Sequence, residues 1–114
     1  MDQSFDVAEE VVGDVPVLSV AGEIDVATKS ALRGALDEKF DAGHSTIVVD
    51  LRDVTFLDST GLGVLVGALK RCREADGDLR LVVDTPRILQ LFAITGLDTT
   101  FSISDTVETA LRGV

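Results

Sequence analysis

Two apolar periods alternate along the chain. Residues 5–12 alternate loosely and lead into Gly13-Asp14, and residues 15–21 (VPVLSVA) read as a second strand, so the pair predicts a hairpin. Pro16, which has no N–H for a ladder, fits only near the end or the edge of that strand. After Gly22-Glu23-Ile24-Asp25 the period lengthens. Ala31, Leu32, Ala35, Leu36 and Phe40 recur at helical spacing, and Gly43 supplies a stop. Residues 46–51 (TIVVDL) form a short, nearly continuous apolar run, as expected of a strand covered on both faces. The next helix has one clear apolar face, Leu62, Leu65, Val66, Leu69 and Cys72. Ser59 or Thr60 is placed to cap its start, Lys70, Arg71 and Arg73 sit near its electronegative end, and Gly77 is the expected stop. Residues 79–83 (LRLVV) read as a buried strand. Asp84-Thr85-Pro86 then opens a helix with a capping residue ahead of proline, Ile88, Leu91, Phe92 and Thr95 mark its inner face, and Gly96 its end. A short strand at 101–103 precedes a last helix, started by Asp105 with Glu108 and carried by Val107, Ala110 and Leu111.

The order is ββαβαβαβα. Strand–helix–strand repeats imply an α/β fold, a mostly parallel mixed sheet packed against α-helices. Loops that follow parallel strands gather at the carboxyl edge of such a sheet, where α/β proteins place their sites. Two loops there stand out, Gly22-Glu23-Ile24-Asp25 and Phe56-Leu57-Asp58-Ser59-Thr60-Gly61.

Composition narrows what those loops could do. The 114 residues carry 20 acidic and 10 basic side chains, a net charge of −10, which argues against nucleic acid and anionic membrane as direct partners. At about 100–200 residues per domain, the length predicts one domain spanning 1–114. The 46% hydrophobic content is that of a globular protein rather than a disordered acidic tail. No stretch approaches the ~20 apolar residues of a membrane span. The acidic opening MDQSFDVAEE lacks the apolar core of a signal peptide, which predicts a cytoplasmic location. With Cys72 and His44 the only residues of their kinds, neither an internal disulfide nor a cysteine- or histidine-rich metal site is expected.

The informative run is residues 54–66, VTFLDSTGLGVLV. An apolar approach ends in Asp58-Ser59-Thr60-Gly61 at the predicted helix start, where a hydroxyl lies among unpaired N–H groups and the positive end of the helix dipole. Gly61 and Gly63 fall in the first turns, where each costs about 1 kcal/mol relative to alanine, so close approach of another backbone is a plausible reason for them. The same residues also describe a plain serine or threonine cap with two glycines for helix–sheet packing. Catalytic readings fail on spacing. Asp58 lies one residue too far from Gly61 for an aspartic-protease motif, and there is no G-x-S-x-G elbow and no Gly-Lys-Ser/Thr of a phosphate loop. Gly61-x-Gly63-x-x-x-Gly67 with Asp84 imitates a dinucleotide fingerprint, but the predicted strand ends at Leu51, ten residues too early. Asp50 imitates a phospho-acceptor aspartate without the acid pair and lysine such a site needs, and is read as a polar strand end.

Taken together, Gly22-Glu23-Ile24-Asp25, the run from Phe56 to Val64 and the later Ile94-Thr95-Gly96-Leu97 make the chain resemble the anti-sigma factor antagonists, single STAS domains of the SpoIIAA type. The resemblance covers nearly the whole length. It implies the STAS fold and a partner-switching role without catalysis. In that family the unphosphorylated antagonist binds an anti-sigma factor, itself a serine kinase, and frees the sigma factor. The kinase phosphorylates the serine after the motif's aspartate, which ends the interaction, and a serine phosphatase restores it. Carried over, the acceptor is Ser59, and Asp25 belongs to the loop beside it that takes part in the kinase interface. Asp58, Thr60, Gly61, Leu62 and Gly63 complete the expected partner-binding set, with no cofactor and no metal.

Each of these residues also has a plainer reading. Asp25 could cap the first helix, Thr28 is a further cap or contact, and Asp58 could be a turn residue bonding its own backbone. Leu62 and Val64 are candidates for an exposed apolar contact patch. Cys72 is expected in the core, His44 at the surface, and Lys70, Arg71 and Arg73 at a solvated helix end. The rival function is a small-ligand or nucleotide-sensing module on the same loops, against which weigh the acidic surface and the lack of a phosphate-gripping lysine near Ser59. The expected assembly is a monomer or weak dimer.

Overall fold

A computed structural model describes residues 5–113; residues 1–4, which open the segment read above as lacking a signal peptide, and residue 114 lie outside the described residues. The elements follow the expected order: β1 (Asp6–Val12), β2 (Val15–Ile24), α1 (Lys29–Asp41), β3 (Thr46–Leu57), α2 (Ser59–Glu74), β4 (Asp78–Val82), α3 (Pro86–Ile94), β5 (Ser102–Ser104) and α4 (Val107–Ala110). The strands lie in a five-stranded sheet in the order β1-β2-β3-β4-β5. β1 and β2 form the antiparallel hairpin, and β2–β3, β3–β4 and β4–β5 are parallel.

Alternation along the strands splits the core in two. Leu18, Val20, Ile47, Val49, Leu51, Leu79 and Leu81 face the larger layer, built with Leu32 and Leu36 of α1, Leu65 and Leu69 of α2, and Ile88 and Phe92 of α3. Their intervening neighbours Val17, Val48 and Val82 point the other way, onto Ala110, Val107 and Leu111 at α4. The central strand β3 is thus covered on both faces over its first half, which is why TIVVDL shows no alternation. Cys72 is fully buried, and burial pushes its thiol pKa up to about 11, with Asp78 adding to the rise and Arg71 opposing it, so it stays a neutral core residue at pH 7.

The structure corrects several boundaries. β3 continues to Leu57 rather than ending at Leu51, and β2 to Ile24 rather than Ala21. The polar residues Arg52, Asp53 and Thr55 suggested a break, but Val54 and Leu57 continue the buried side while the others face solvent. Register shifts after Ser19 and Gly22 let the two strands stay paired, with Gly22 at φ +99° taking up the irregularity. Asp50 is therefore no strand end. It is buried in mid-strand and held by Arg52, Nε to Oδ1 at 3.0 Å and Nη2 to Oδ2 at 2.8 Å, which in turn raises the Arg52 pKa.

Cap assignments shift by one residue in two places, at α2 and α4, while α3 starts as expected. Asp58, not Ser59 or Thr60, caps α2. Thr106 rather than Asp105 caps α4, its hydroxyl accepting from the Thr109 N–H, so the expected partnership with Glu108 does not form. Thr85 occupies the cap position of α3 without a side-chain bond, ahead of Pro86 at the first turn. Beyond α2 the left-handed residue is Asp76 (φ +64°), not Gly77. Gly77 serves close approach instead: a Cβ there would collide with the carbonyl of Ser45, whose oxygen accepts from the Asp78 N–H as β4 begins. Lys70, Arg71 and Arg73 are all exposed as expected, and the last two are also held by partners. Arg71 lies 4.4 Å over the Phe40 ring and bonds Asp37, while Arg73 bonds Asp78 and the Thr100 carbonyl. His44 is half-buried rather than fully at the surface.

Because Gly77 meets backbone, which cannot swing aside, Gly77→Ala should destabilise the fold by roughly 2 kcal/mol or more. Urea unfolding followed by circular dichroism checks this; an unchanged midpoint would show that the Ser45–Gly77 approach can relax.

Candidate functional site

The two loops singled out in the sequence meet because β2 and β3 end side by side. Ile24 pairs with Leu57, and one residue later the Asp58 N–H donates to the Ile24 carbonyl at 3.4 Å. This sets Asp25 and Asp58 at adjacent strand ends, with Ser59 the first residue of α2.

Each acidic side chain is engaged by its own backbone. Asp58 is extended (φ −110°, ψ −174°), and its Oδ1 accepts from the Gly61 N–H at 3.1 Å, an N-cap worth about 1 kcal/mol. Asp25 Oδ1 accepts from the N–H groups of Ala27 (2.9 Å) and Thr28 (3.2 Å). The Thr28 hydroxyl donates to the Glu23 carbonyl at 2.7 Å and accepts from the Asp25 N–H at 3.0 Å. The loop between β2 and α1 is therefore a closed turn rather than a free tether. Asp25 does not cap α1, whose cap position is Thr28 without a side-chain capping bond; it closes a turn instead. Asp58 bonds its own backbone as the cap of α2, and neither set of bonds uses the second carboxylate oxygen.

Ser59 contrasts with its neighbours. It is exposed, and among the described residues no hydrogen bond engages its hydroxyl, while Thr60 is half-buried. With Asp58 taking the cap, the serine side chain is released from the structural task that the sequence had offered it.

Gly61 and Gly63 turn out to be unlike each other. A Cβ on Gly61 would sit 2.5 Å from Leu57 Cδ1 and 2.6 Å from Ile24 Cγ2. Those two core side chains are 5% and 0% exposed and would have to shift within a close-packed core, so the first turn of α2 rests directly on the ends of β2 and β3. The expectation of close approach holds here, with side chains rather than backbone as the neighbour. At Gly63 a Cβ would meet nothing within 4 Å, and the residue is exposed. The longer β3 also removes the spacing argument against a dinucleotide fingerprint. What distinguishes the site from one is that both glycines lie inside α2, Gly61 facing the sheet and not a ligand loop.

Leu62 and Val64 do not form an exposed patch; both are only 6% exposed and belong to the core, because they fall on the inward side of α2. The exposed apolar side chains near the site are instead Val26 (68%), Phe56 (45%) and Ile94 (74%). Phe56 and Ile94 share a shallow trough of about 200 Å³ with Leu57, Ile88, Leu91 and Arg87. A signal for these was present: Phe56 alternates away from Leu57, and Ile94 lies off the face marked by Ile88, Leu91 and Phe92. Among the described residues no cluster of three or more metal-ligating side chains occurs, and no helix is long and apolar enough to cross a membrane.

Comparison with known proteins places this arrangement. The model of the STAS domain matches residues 6–110, and the chain belongs to that family. It is 35% identical over 113 residues to the anti-sigma-B factor antagonist of Listeria monocytogenes, covering 99% of this chain and 97% of that protein. The crystal structure of an anti-sigma factor antagonist from Mycobacterium paratuberculosis superposes with a TM-score of 0.89 at 33% identity, covering 97% and 94% of the two chains. SpoIIAA in its unphosphorylated form shares the fold at 21% identity (TM-score 0.74; 97% and 100% covered), and the Bacillus protein is also known in a phosphorylated form.

If Asp58 holds the helix start as described, Asp58→Ala should cost about 1 kcal/mol. Gly61→Ala should cost more, because its methyl must displace Ile24 or Leu57. Thermal unfolding of the two variants checks the order; a Gly61→Ala protein as stable as wild type would contradict the packing.

Proposed function

We propose that the chain is an anti-sigma factor antagonist controlled at Ser59. Its unphosphorylated form binds an anti-sigma factor that is also a serine kinase and so frees the sigma factor. Phosphorylation of Ser59 ends the binding, and a serine phosphatase resets the chain. The unit acts as one cytoplasmic STAS domain, a monomer or weak dimer, needing no cofactor, metal, nucleic acid or membrane. It is a ligand and a substrate rather than an enzyme.

The observation that carries this reading is the exposed hydroxyl of Ser59, unbonded among the described residues, on a helix start whose cap is supplied by Asp58. An acceptor hydroxyl must reach into another protein's catalytic cleft without unravelling its own fold, and a serine relieved of capping duty meets that need. Asp25, held in its closed turn beside the serine, offers a fixed carboxylate for recognition, and Asp58 retains one free oxygen. Thr60 and Gly61 shape the approach, Leu62 anchors the helix from beneath, and bare Gly63 leaves room alongside. Val26, Phe56 and Ile94 extend the surface with apolar area, as expected of a binding face. The anti-sigma factor antagonists among the relatives support the assignment.

The physics of the switch follows from position. A phosphate adds about −1.5 to −2 charges at neutral pH. At the start of α2 that charge is tolerated by the fold, since anions there gain about 0.3–1 kcal/mol from the helix dipole. Its effect therefore falls on the interface, where bulk and charge meet the partner.

Accordingly, Ser59→Asp should abolish binding to the cognate anti-sigma factor while its thermal midpoint stays near wild type, and Ser59→Ala should bind normally. Calorimetric titration with the anti-sigma factor, alongside thermal unfolding, checks both. A Ser59→Asp chain that bound like wild type would remove Ser59 from the switch.

A further inference from the structure

We infer that the phosphate on Ser59 is received by this chain itself, in the groove between α1 and α2, by Lys29 and Arg33. The inference rests on the phosphorylation of Ser59 proposed above for its use in the cell. The two helices follow neighbouring parallel strands and therefore run in the same direction. Their matching is visible at the far end, where Arg71 bonds Asp37 at 3.1 Å and stacks on Phe40. Arg33, Asp37, Gly63, Gly67 and Arg71 line one groove. On α1 the facing residues advance by four, Lys29, Arg33, Asp37 and Asp41, and on α2 likewise, Ser59, Gly63, Gly67 and Arg71. The Arg71 guanidinium lies between Asp37 (3.1 Å) and Asp41 (4.0 Å) of α1. The same four-residue steps carried back along both helices bracket Gly63 between Lys29 and Arg33, and Ser59 between Asp25 and Lys29. Lys29 is therefore the nearer cation to Ser59, and Arg33 lies one turn, about 6 Å, further along.

Between Ser59 and Arg33 stands Gly63 of α2, which lines the groove with Arg33 and whose Cβ direction is open for 4 Å, so no side chain rises there. Among the described residues Arg33 is also uncommitted. Its natural helical neighbour Asp37 is taken by Arg71, and among the described residues neither Lys29 nor Arg33 pairs with a carboxylate. The carboxylates on the serine's side, Asp25 and Asp58, each already accept backbone N–H bonds, and Glu23 is exposed at the end of β2. A dianion at Ser59 thus meets two unpaired cations across the groove and two carboxylates whose charge is partly satisfied. Arginine grips phosphate through paired N–H groups and lysine as a point charge, so the two together form a receiver for it. The phosphorylated state is then a closed one, with the phosphate folded onto α1 and α1 tied to α2 at the carboxyl edge.

The test needs no partner protein. Phosphoserine is installed at position 59 of the full chain by genetic encoding, and its second ionisation is followed by phosphorus NMR. In the wild-type sequence the phosphate should titrate at least about half a pH unit lower than in the double variant Lys29→Gln/Arg33→Gln, since nearby cations favour the dianion. The conservative exchange Lys29→Arg/Arg33→Lys should keep the low value. The double variant should also lower the thermal midpoint of the phosphorylated chain while leaving that of the unmodified chain in place. Equal phosphate titration in wild type and double variant would overturn the receiver, whatever the outcome of anti-sigma factor binding; loss of binding control at Ser59 would instead overturn the function proposed above.

Discussion

The structure depends on one junction, the side-by-side ending of β2 and β3. Ile24 pairs with Leu57, the Asp58 N–H reaches the Ile24 carbonyl, and Gly61 seats the first turn of α2 on both side chains. Any side chain larger than hydrogen at position 61 meets buried neighbours there. The helix cannot slide along its axis or rise from the sheet without opening that contact, and so its first exposed residue, Ser59, occupies a fixed place next to the Asp25 turn. A one-residue change of register would point a different side chain outward.

The same junction explains a division of labour between adjacent residues. Helix starts need a capping acceptor, and serine is as good a cap as aspartate. Here Asp58 takes the cap, and the serine beside it has no partner among the described residues. The acidic balance of the chain acquires a local meaning from this. The carboxylates of Asp25 and Asp58 are partly quenched by backbone N–H groups, whereas among the described residues Lys29 and Arg33 on the neighbouring helix pair with no carboxylate. In a chain with net charge −10, these two cations on α1 are what the proposed phosphate receiver would draw on.

Much of this was legible in the sequence because its signals were periodic. The helical faces of α1, α2 and α3, the doubly covered first half of β3, and the element order follow from apolar spacing alone. The carboxyl-edge loops were legible as places, and the residues within them as a family pattern. What escaped was set by pairing between distant segments. The outer half of β3 exposes Arg52, Asp53 and Thr55 and looks like a loop until β2 is seen beside it, and Asp50 looks like a strand end until Arg52 is seen to cover it. Caps were misplaced by one residue because serine, threonine and aspartate compete for the same position, and only the backbone angles decide. Leu62 and Val64 sit beside the motif as candidates for the surface, yet the phase of α2 turns both inward.

The central claim is that this edge presents one hydroxyl, that of Ser59, to a kinase that is also the binding partner. It is tested most directly by incubating the chain with its cognate anti-sigma factor kinase and ATP and mapping the modified residue by mass spectrometry. The account predicts a single phosphate, on Ser59. A phosphate on Thr60, or none on either residue with an active kinase that binds the chain, would contradict it.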